Sequence, residues 1–331
     1  MAHSNSSLNC FASCMAKYEH NYILHTPSCR PISPHLVFGT MAHEVLYKAG
    51  LLRDEIDDGV ASPDYTTIIP SEVLYPELKQ EFQIKNWYKY FSRVIKQVTL
   101  YEQACVNNIK EYGPVQIERE IKLQVTPDEL GLQGYKVKQP LVGVIDLLIR
   151  TETHATILDY KFSTTRKGQD DFDMNSQLPI YAFLIHMRYG IPLRNISYGY
   201  IDIPKQDFGE PILLSNGTLS RAKSQNISQE LYKAAVEAIH GDDPKYNCEP
   251  GGYYHDAWCS FALNKPAYLS VQWLDMEVYD GVLTDILNAA VMIDFMTDNK
   301  MPFLKKYDAY SCKGCDFVEA CKPWLTVGGF K

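Results

Sequence analysis

Apolar residues recur along this chain with two different periods, and the changes of period mark out its elements. From Phe82 to Tyr112 the apolar positions 84, 87, 88, 91, 94, 95, 98, 101, 105 and 109 return at helical spacing, and Gly113-Pro114 ends the run. Residues 39–52, GTMAHEVLYKAGLL, predict an earlier helix with Ala42, Val45, Leu46 and Ala49 on one face and His43 beside it. Residues 7–24 predict a short helix followed by an aromatic turn, and residues 53–80 an acidic loop. VQIEREIKLQV (115–125) alternates as a strand does, with Val115, Ile117, Arg119 and Ile121 opposite Gln116, Glu118, Glu120 and Lys122. A turn bracketed by Gly131, Gly134 and Pro140 precedes two apolar runs lying side by side in residues 141–164. Residues 174–190 predict a helix with Ser176 as N-cap and Pro179 in its first turn, where a missing N–H does no harm. A strand (196–204) and another long helix (271–297) follow. Between them, residues 205–268 are turn-rich apart from one helical stretch, and read as an insertion or lobe.

The two runs in 141–164 carry charges where buried strands tolerate few. Asp146 sits inside LVGVIDLLIR. In the next run Asp159 and Lys161 are two residues apart, so the strand period puts them on one face with Ile157, while Leu158, Tyr160 and Phe162 point the other way. An unpaired charge inside an apolar strand is expensive, so these groups are expected to be paired or metal-bound. Two carboxylates and a lysine on adjacent strands are the set a metal-dependent phosphodiesterase needs. Gln177 and Tyr181, four residues apart, share a helix face downstream.

Bulk composition narrows the setting. With 331 residues, 46% hydrophobic, the chain is long enough for one large domain or two. It contains no run of eighteen apolar residues, so no membrane span is expected, and the N-terminus lacks a secretory pattern, which predicts a cytoplasmic location. The formal net charge of −8 does not advertise a nucleic-acid binder, although acidic ligands filled by a divalent metal reverse their local sign. Nine cysteines in a cytoplasmic chain point to metal or cluster ligation rather than disulfides. Cys312, Cys315 and Cys321 fall within ten residues, and Lys313, Gly314 and Asp316 among them do not read as core. A four-thiolate cluster or tetrahedral zinc site lacks one ligand, to come from Cys10, Cys14, Cys29, Cys105, Cys248 or Cys259.

Together these features resemble the PD-(D/E)XK nuclease superfamily, and more narrowly its RecB-like iron–sulfur branch, which includes the AddB nuclease domain, CRISPR-adaptation exonucleases and phage recombination exonucleases. The resemblance is carried, in order, by Cys14 with Tyr18 and Tyr22, GTMAH with His43, GVIDLL with Asp146, DYK with Asp159 and Lys161, QLPIY with Gln177 and Tyr181, and the three terminal cysteines. Asp159 stands where many relatives have glutamate. The family implies an α/β restriction-endonuclease-like core, a mixed central sheet flanked by helices, with helical additions and a C-terminal cysteine cluster. Residues 1–331 are then one nuclease domain. Residues 1–53 give a cluster cysteine and the first helix, 115–204 the catalytic core, 205–268 the insertion, and 271–331 the last helix and cluster-binding segment.

The same resemblance implies roles. Asp146 and Asp159 would hold Mg²⁺ or Mn²⁺ with the Tyr160 backbone carbonyl and His43, and the imidazole favours Mn²⁺ somewhat. Lys161 would orient or deprotonate the attacking water, with Gln177 and Tyr181 positioning the lysine or the strand. Either Glu118 or Glu120 is a candidate outer ligand, and strand parity alone does not choose between them. Arg166 and Lys167 are candidate phosphate contacts. Cys14 is expected to complete a 4Fe-4S cluster with Cys312, Cys315 and Cys321, Cys10 being the runner-up and Zn²⁺ the alternative occupant. The implied activity is a metal-dependent deoxyribonuclease, an exonuclease rather than an endonuclease, acting on single-stranded DNA or DNA ends in recombination, repair or CRISPR/phage DNA processing. Other recombination, helicase or CRISPR-adaptation proteins are the expected partners, and any helicase is separate because the chain has no P-loop. A catalytically silent DNA-binding or assembly subunit and a zinc-stapled interaction protein are the competing readings.

Overall fold

The protein is described by a computed structural model covering residues 2–31, 33–54, 87–126, 137–163, 176–204, 209–262, 264–265, 267–306 and 309–321. In chain order the elements are β1 (His3–Ser4), α1 (Asn5–Ser13), α2 (Met15–Tyr18), α3 (Pro34–Asp54), α4 (Trp87–Ile109), β2 (Gln116–Val125), β3 (Leu141–Arg150) and β4 (Ala155–Ser163). They continue as α5 (Gln177–Tyr189), β5 (Ile196–Pro204), α6 (Gln229–His240), α7 (His255–Ser260), β6 (Tyr268–Trp273), α8 (Met276–Asp298) and α9 (Ala309–Lys313).

All six strands form one mixed sheet in the order β1-β3-β4-β5-β6, with β2 on β3 as well. Strand β3 pairs antiparallel with β2 and β4, β4 pairs parallel with β5, and β5 pairs antiparallel with β6. The β4-to-β5 connection passes through α5, as a parallel pair requires. Helices cover both faces. On one, Leu148, Ile157, Leu178, Ile185 and Leu287 join β3 and β4 to α5 and α8. On the other, Val45, Phe91, Val98, Leu147 and Leu158 join the same strands to α3 and α4. Strand β3 is therefore buried on both sides, which explains its unbroken apolar run and makes Asp146 an expensive exception.

The edges of β3 position the site. Strand β2 pairs with β3 from Gln116↔Arg150 to Val125↔Leu141, taking one whole edge. The other edge is divided: β4 pairs only with positions 147–150, and β1 only with Leu141 and Val142. Asp146 lies in the interval between, beside the residues of β4 that have lost their β3 partners.

Several expectations are corrected by the structure. Residues 271–273 belong to β6, and the last long helix starts at Met276, where Asp275 caps it by accepting the Glu277 N–H at 2.9 Å. The chain starts with a short strand, β1, that period analysis does not detect, because two residues show no period. Ser176 precedes α5 but makes no side-chain cap; its hydroxyl donates to Asn5 Oδ1 at 2.7 Å. Within the stretch expected to be an insertion, Ile227, Tyr232, Tyr254 and Phe261 belong to a small apolar cluster of their own. The acidic loop expected over 53–80, apart from Arg53 and Asp54, and the glycines 131 and 134 lie outside the described residues.

Alternation in β2 also fails at one place. Glu118 accepts from Tyr189 of α5, and Ile121 packs on that same side, so the two share a face that strict alternation would deny them. The break falls at Glu120, whose φ is 47°, and the pairing of β2 with β3 skips only Glu120 opposite Asp146. A left-handed residue that is not glycine is a local cost, of the kind found where a side chain is being re-aimed.

Candidate active site

Pairing of β3 with β4 ends at Leu147↔Leu158. The next step would set Asp146 opposite Asp159, a like-charge pair that destabilises a ladder. With the strands apart, the backbone N–H of Tyr160 needs an acceptor, and Asp146 Oδ2 accepts it at 2.8 Å. Asp146 Oδ1 lies 3.4 Å from His43 Nδ1. Helix α3 brings that imidazole over the sheet, where its ring also meets the Phe162 ring at 5.2 Å.

Asp159 is 3% exposed. Its Oδ1 accepts from Gln177 Nε2 at 2.8 Å, and its Oδ2 is 2.6 Å from Lys161 Nζ. Lys161 Nζ donates to Gln177 Oε1 at 3.0 Å, and the Gln177 amide reaches the Tyr181 hydroxyl at 2.8 Å. One amide thus bridges the carboxylate and the ammonium and is itself held by a tyrosine one turn along α5. Gly143 makes room for this: a Cβ there would stand 2.8 Å from both Tyr181 Cε1 and Leu184 Cδ1.

The electrostatics follow from these contacts. Burial pushes the Asp159 carboxyl up to about 6, and the Asp146 charge adds to it against the opposing Lys161. For His43, burial disfavours the imidazolium, but the bond to Asp146 and the charges of Asp146 and Asp159 outweigh it, and its pKa rises. Glu120 is raised by burial and by Asp146. In the β2–β3 register Glu120 falls opposite Asp146, whereas Glu118 turns away to an ion pair with Arg150 at 2.5 Å. Of the two glutamates the sequence leaves open, only Glu120 lies opposite Asp146 in the strand register.

In kind, two carboxylates, an imidazole and a backbone carbonyl fit a hard divalent cation. Asp159 Oδ2 fits as well, since it is buried and lacks a hydrogen bond of acceptable geometry despite its contact with Lys161. Among the described residues no three His, Cys, Asp or Glu side chains are gathered around one point, and the carboxylates are engaged by Tyr160, Lys161 and Gln177. Arg166 and Lys167 lie outside the described residues.

Away from the sheet, Cys14, Cys312, Cys315 and Cys321 line one cavity of about 50 Å³, with Lys17, Lys305 and Lys306 around it. Cys14 sits between α1 and α2, and Ala16 N–H donates to Leu304 O at 3.1 Å, so the two ends of the described chain meet here. Burial raises the Cys321 thiol, Lys305 opposes it, and Cys315, Cys14 and Cys312 add to it. Cys10 does not line the cavity.

Sequence reasoning missed two polar groups near the active strands. Glu102 is 4% exposed in α4, and Asp202, 2% exposed, stands in register with Lys161 on β5. For Glu102 a signal existed: it is four residues from Val98 and three from Cys105, both on the apolar face.

No helix among the described residues is long and apolar enough to cross a membrane. No curated protein matches the chain in sequence. Among the solved structures similar to it are these two. One is a proposed exonuclease from Eubacterium rectale, 8% identical, with a TM-score of 0.42 over 96% of this chain and 87% of that one. The other, SSO0001, is 13% identical, with a TM-score of 0.25 over 86% of this chain and 95% of that one. Residues 2–322 match the sequence profile of the PD-(D/E)XK nuclease superfamily, and the chain belongs to that superfamily.

Proposed function

We propose that this nuclease is a divalent-metal-dependent deoxyribonuclease acting from DNA ends or on single strands. The observation that carries the reading is the gathering of Asp146, Asp159, Lys161 and Gln177 where β3 and β4 part. Asp146, Asp159, His43 and the Tyr160 carbonyl are the residues that would hold Mg²⁺ or Mn²⁺. When bound, such a cation polarises the scissile phosphate and acidifies the attacking water.

The remaining chemistry belongs to the chain. Lys161 Nζ, 3.0 Å from Gln177 Oε1, is restrained by the amide at the mouth of the site. There it orients the attacking water and offers positive charge to the phosphorane as negative charge develops on its oxygens. Gln177 holds both Lys161 and Asp159, and Tyr181 holds Gln177. Glu120 adds acidic charge beside Asp146, which suits it to an outer hydrogen-bonding role.

For the cysteines we propose a 4Fe-4S cluster held by Cys14, Cys312, Cys315 and Cys321. Four thiols line one cavity, and four thiolates are the ligand number that such a cluster takes. The three lysines around it would balance the anionic charge of a thiolate-bound cluster.

End-labelled single- and double-stranded DNA, incubated with and without Mn²⁺, tests the activity. Metal-dependent shortening from labelled ends is expected. Binding without cleavage in any metal would instead favour a silent DNA-binding subunit.

A further inference from the structure

We infer that the buried Glu102–Arg119 ion pair is a positioning element of the nuclease site, acting through Tyr160 on Asp146; this rests on the reading of Asp146 and its neighbours given above. Tyr160 stands between Asp159 and Lys161 on β4 and is engaged at both ends. Its N–H donates to Asp146 Oδ2 at 2.8 Å, and its hydroxyl donates to Glu102 Oε1 at 2.6 Å. Glu102 in turn accepts from Arg119 Nη2 on β2 at 2.7 Å and from the Arg53 guanidinium at the end of α3. Arg119 Nε donates to Asp54 Oδ2 at 2.7 Å. Four elements, α3, α4, β2 and β4, meet at this group of charges.

The second contact of Asp146 leads back to the same pair. His43 lies on α3, and seven residues later, two turns along the same face, comes Gly50. A Cβ on Gly50 would stand 2.3 Å from Arg119 Nε, so α3 settles directly against the guanidinium. That seating, with Arg53 and Asp54 holding the helix end, sets the height of His43 above Asp146 Oδ1. Arg119 is also followed at once by the left-handed Glu120. The backbone on either side of Asp146 is thus indexed to one guanidinium.

Stability alone does not account for the group. Burying two charges is costly, and apolar side chains of similar volume often replace such pairs without loss. Glu102 and the Arg119 side chain are 4% and 3% exposed, beside the apolar layer that packs α4 on the sheet. What an ion pair supplies there that leucines cannot is a fixed direction for the Tyr160 hydroxyl.

Tyr160→Phe deletes that hydroxyl and leaves the ring in place. In the full chain we expect it to lower kcat for Mn²⁺-dependent DNA cleavage by about 10- to 100-fold, with KM for DNA unchanged. Mn²⁺ affinity, read by electron paramagnetic resonance without DNA, should fall over a similar range. Glu102→Gln keeps the acceptor and should lose less than Glu102→Leu. Asp294→Asn, at the distant His3–Asp294 pair, controls for lost stability: it should lower the melting temperature and leave kcat and Mn²⁺ affinity alone. Wild-type kcat and Mn²⁺ affinity in Tyr160→Phe overturn the inference, as does an Asp294→Asn variant of matched stability that loses as much. Wild-type protein that neither cuts DNA nor binds Mn²⁺ overturns the nuclease reading itself.

Discussion

Asp146 and Asp159 stand one step beyond the last rung of the β3–β4 ladder, Leu147↔Leu158. That relationship organises the site. Two carboxylates in register would repel across the ladder, so the strands part, and each carboxylate takes a different partner. Asp146 accepts a backbone N–H, and Asp159 is held by Lys161 and Gln177.

Lys161 is the first residue to remove. Lys161→Ala should reduce DNA cleavage by about 10²- to 10⁴-fold, in line with the loss of a positioned proton-handling group. Circular dichroism should be unchanged, as should any iron content. Full activity of this variant in added Mn²⁺ would remove Lys161 from the chemistry.

The two glutamates of β2 should behave oppositely. Glu118 is bound to Arg150 and Tyr189, away from the site, so Glu118→Gln should cost some stability and leave cleavage intact. Glu120 falls opposite Asp146 in the strand register, so Glu120→Gln should weaken cleavage and change little in the melt. Paired melting and cleavage assays decide between them, and equal cleavage losses would contradict the assignment.

A pH dependence follows from Asp159. Its carboxyl is raised from 3.8 to about 6 in the folded protein, chiefly by burial and then by Asp146. The folded state therefore favours the protonated form. The stability this contributes is full below the unfolded value and is lost as pH rises through about 6. Asp159→Asn escapes the loss, so in EDTA its melting advantage over wild type should grow from pH 4 to pH 7, in steps of roughly one unit. A difference that stays flat with pH would contradict the burial argument.

Gly143 tests the packing beneath Gln177. Gly143→Ala puts a methyl 2.8 Å from Tyr181 and Leu184. Overpacking of this kind costs about 1–3 kcal/mol, seen in urea or thermal melts. Because Tyr181 holds Gln177, cleavage should fall as well; an unchanged melt would mean that α5 shifts freely.

The cysteines give a visible readout. Anaerobically purified protein should be brown, with broad absorption near roughly 400 nm and about four irons per chain, as four thiolates imply. Cys14→Ser should lose the colour and Cys10→Ser should keep it. Colourless protein with one zinc would overturn the cluster.

Much of the site is legible from residue types and periods alone. Asp146, Asp159 and Lys161 are conspicuous because charge in a buried strand is costly. Strand period 2 places Asp159 and Lys161 together, and the i, i+4 spacing places Gln177 beside Tyr181. The helices Pro34–Asp54 and Trp87–Ile109 are legible in their apolar spacing, since a face must be buried for those helices to persist. What only the tertiary structure decided depends on broken regularity and on distance along the chain. Parity could not choose between Glu118 and Glu120, because the left-handed backbone at Glu120 interrupts the alternation that parity assumes. Nor could any local pattern join Glu102 to Tyr160, 58 positions away, or Cys14 to Cys321. Periodicity reports which face of an element is buried; which buried groups meet is set by how the elements pack.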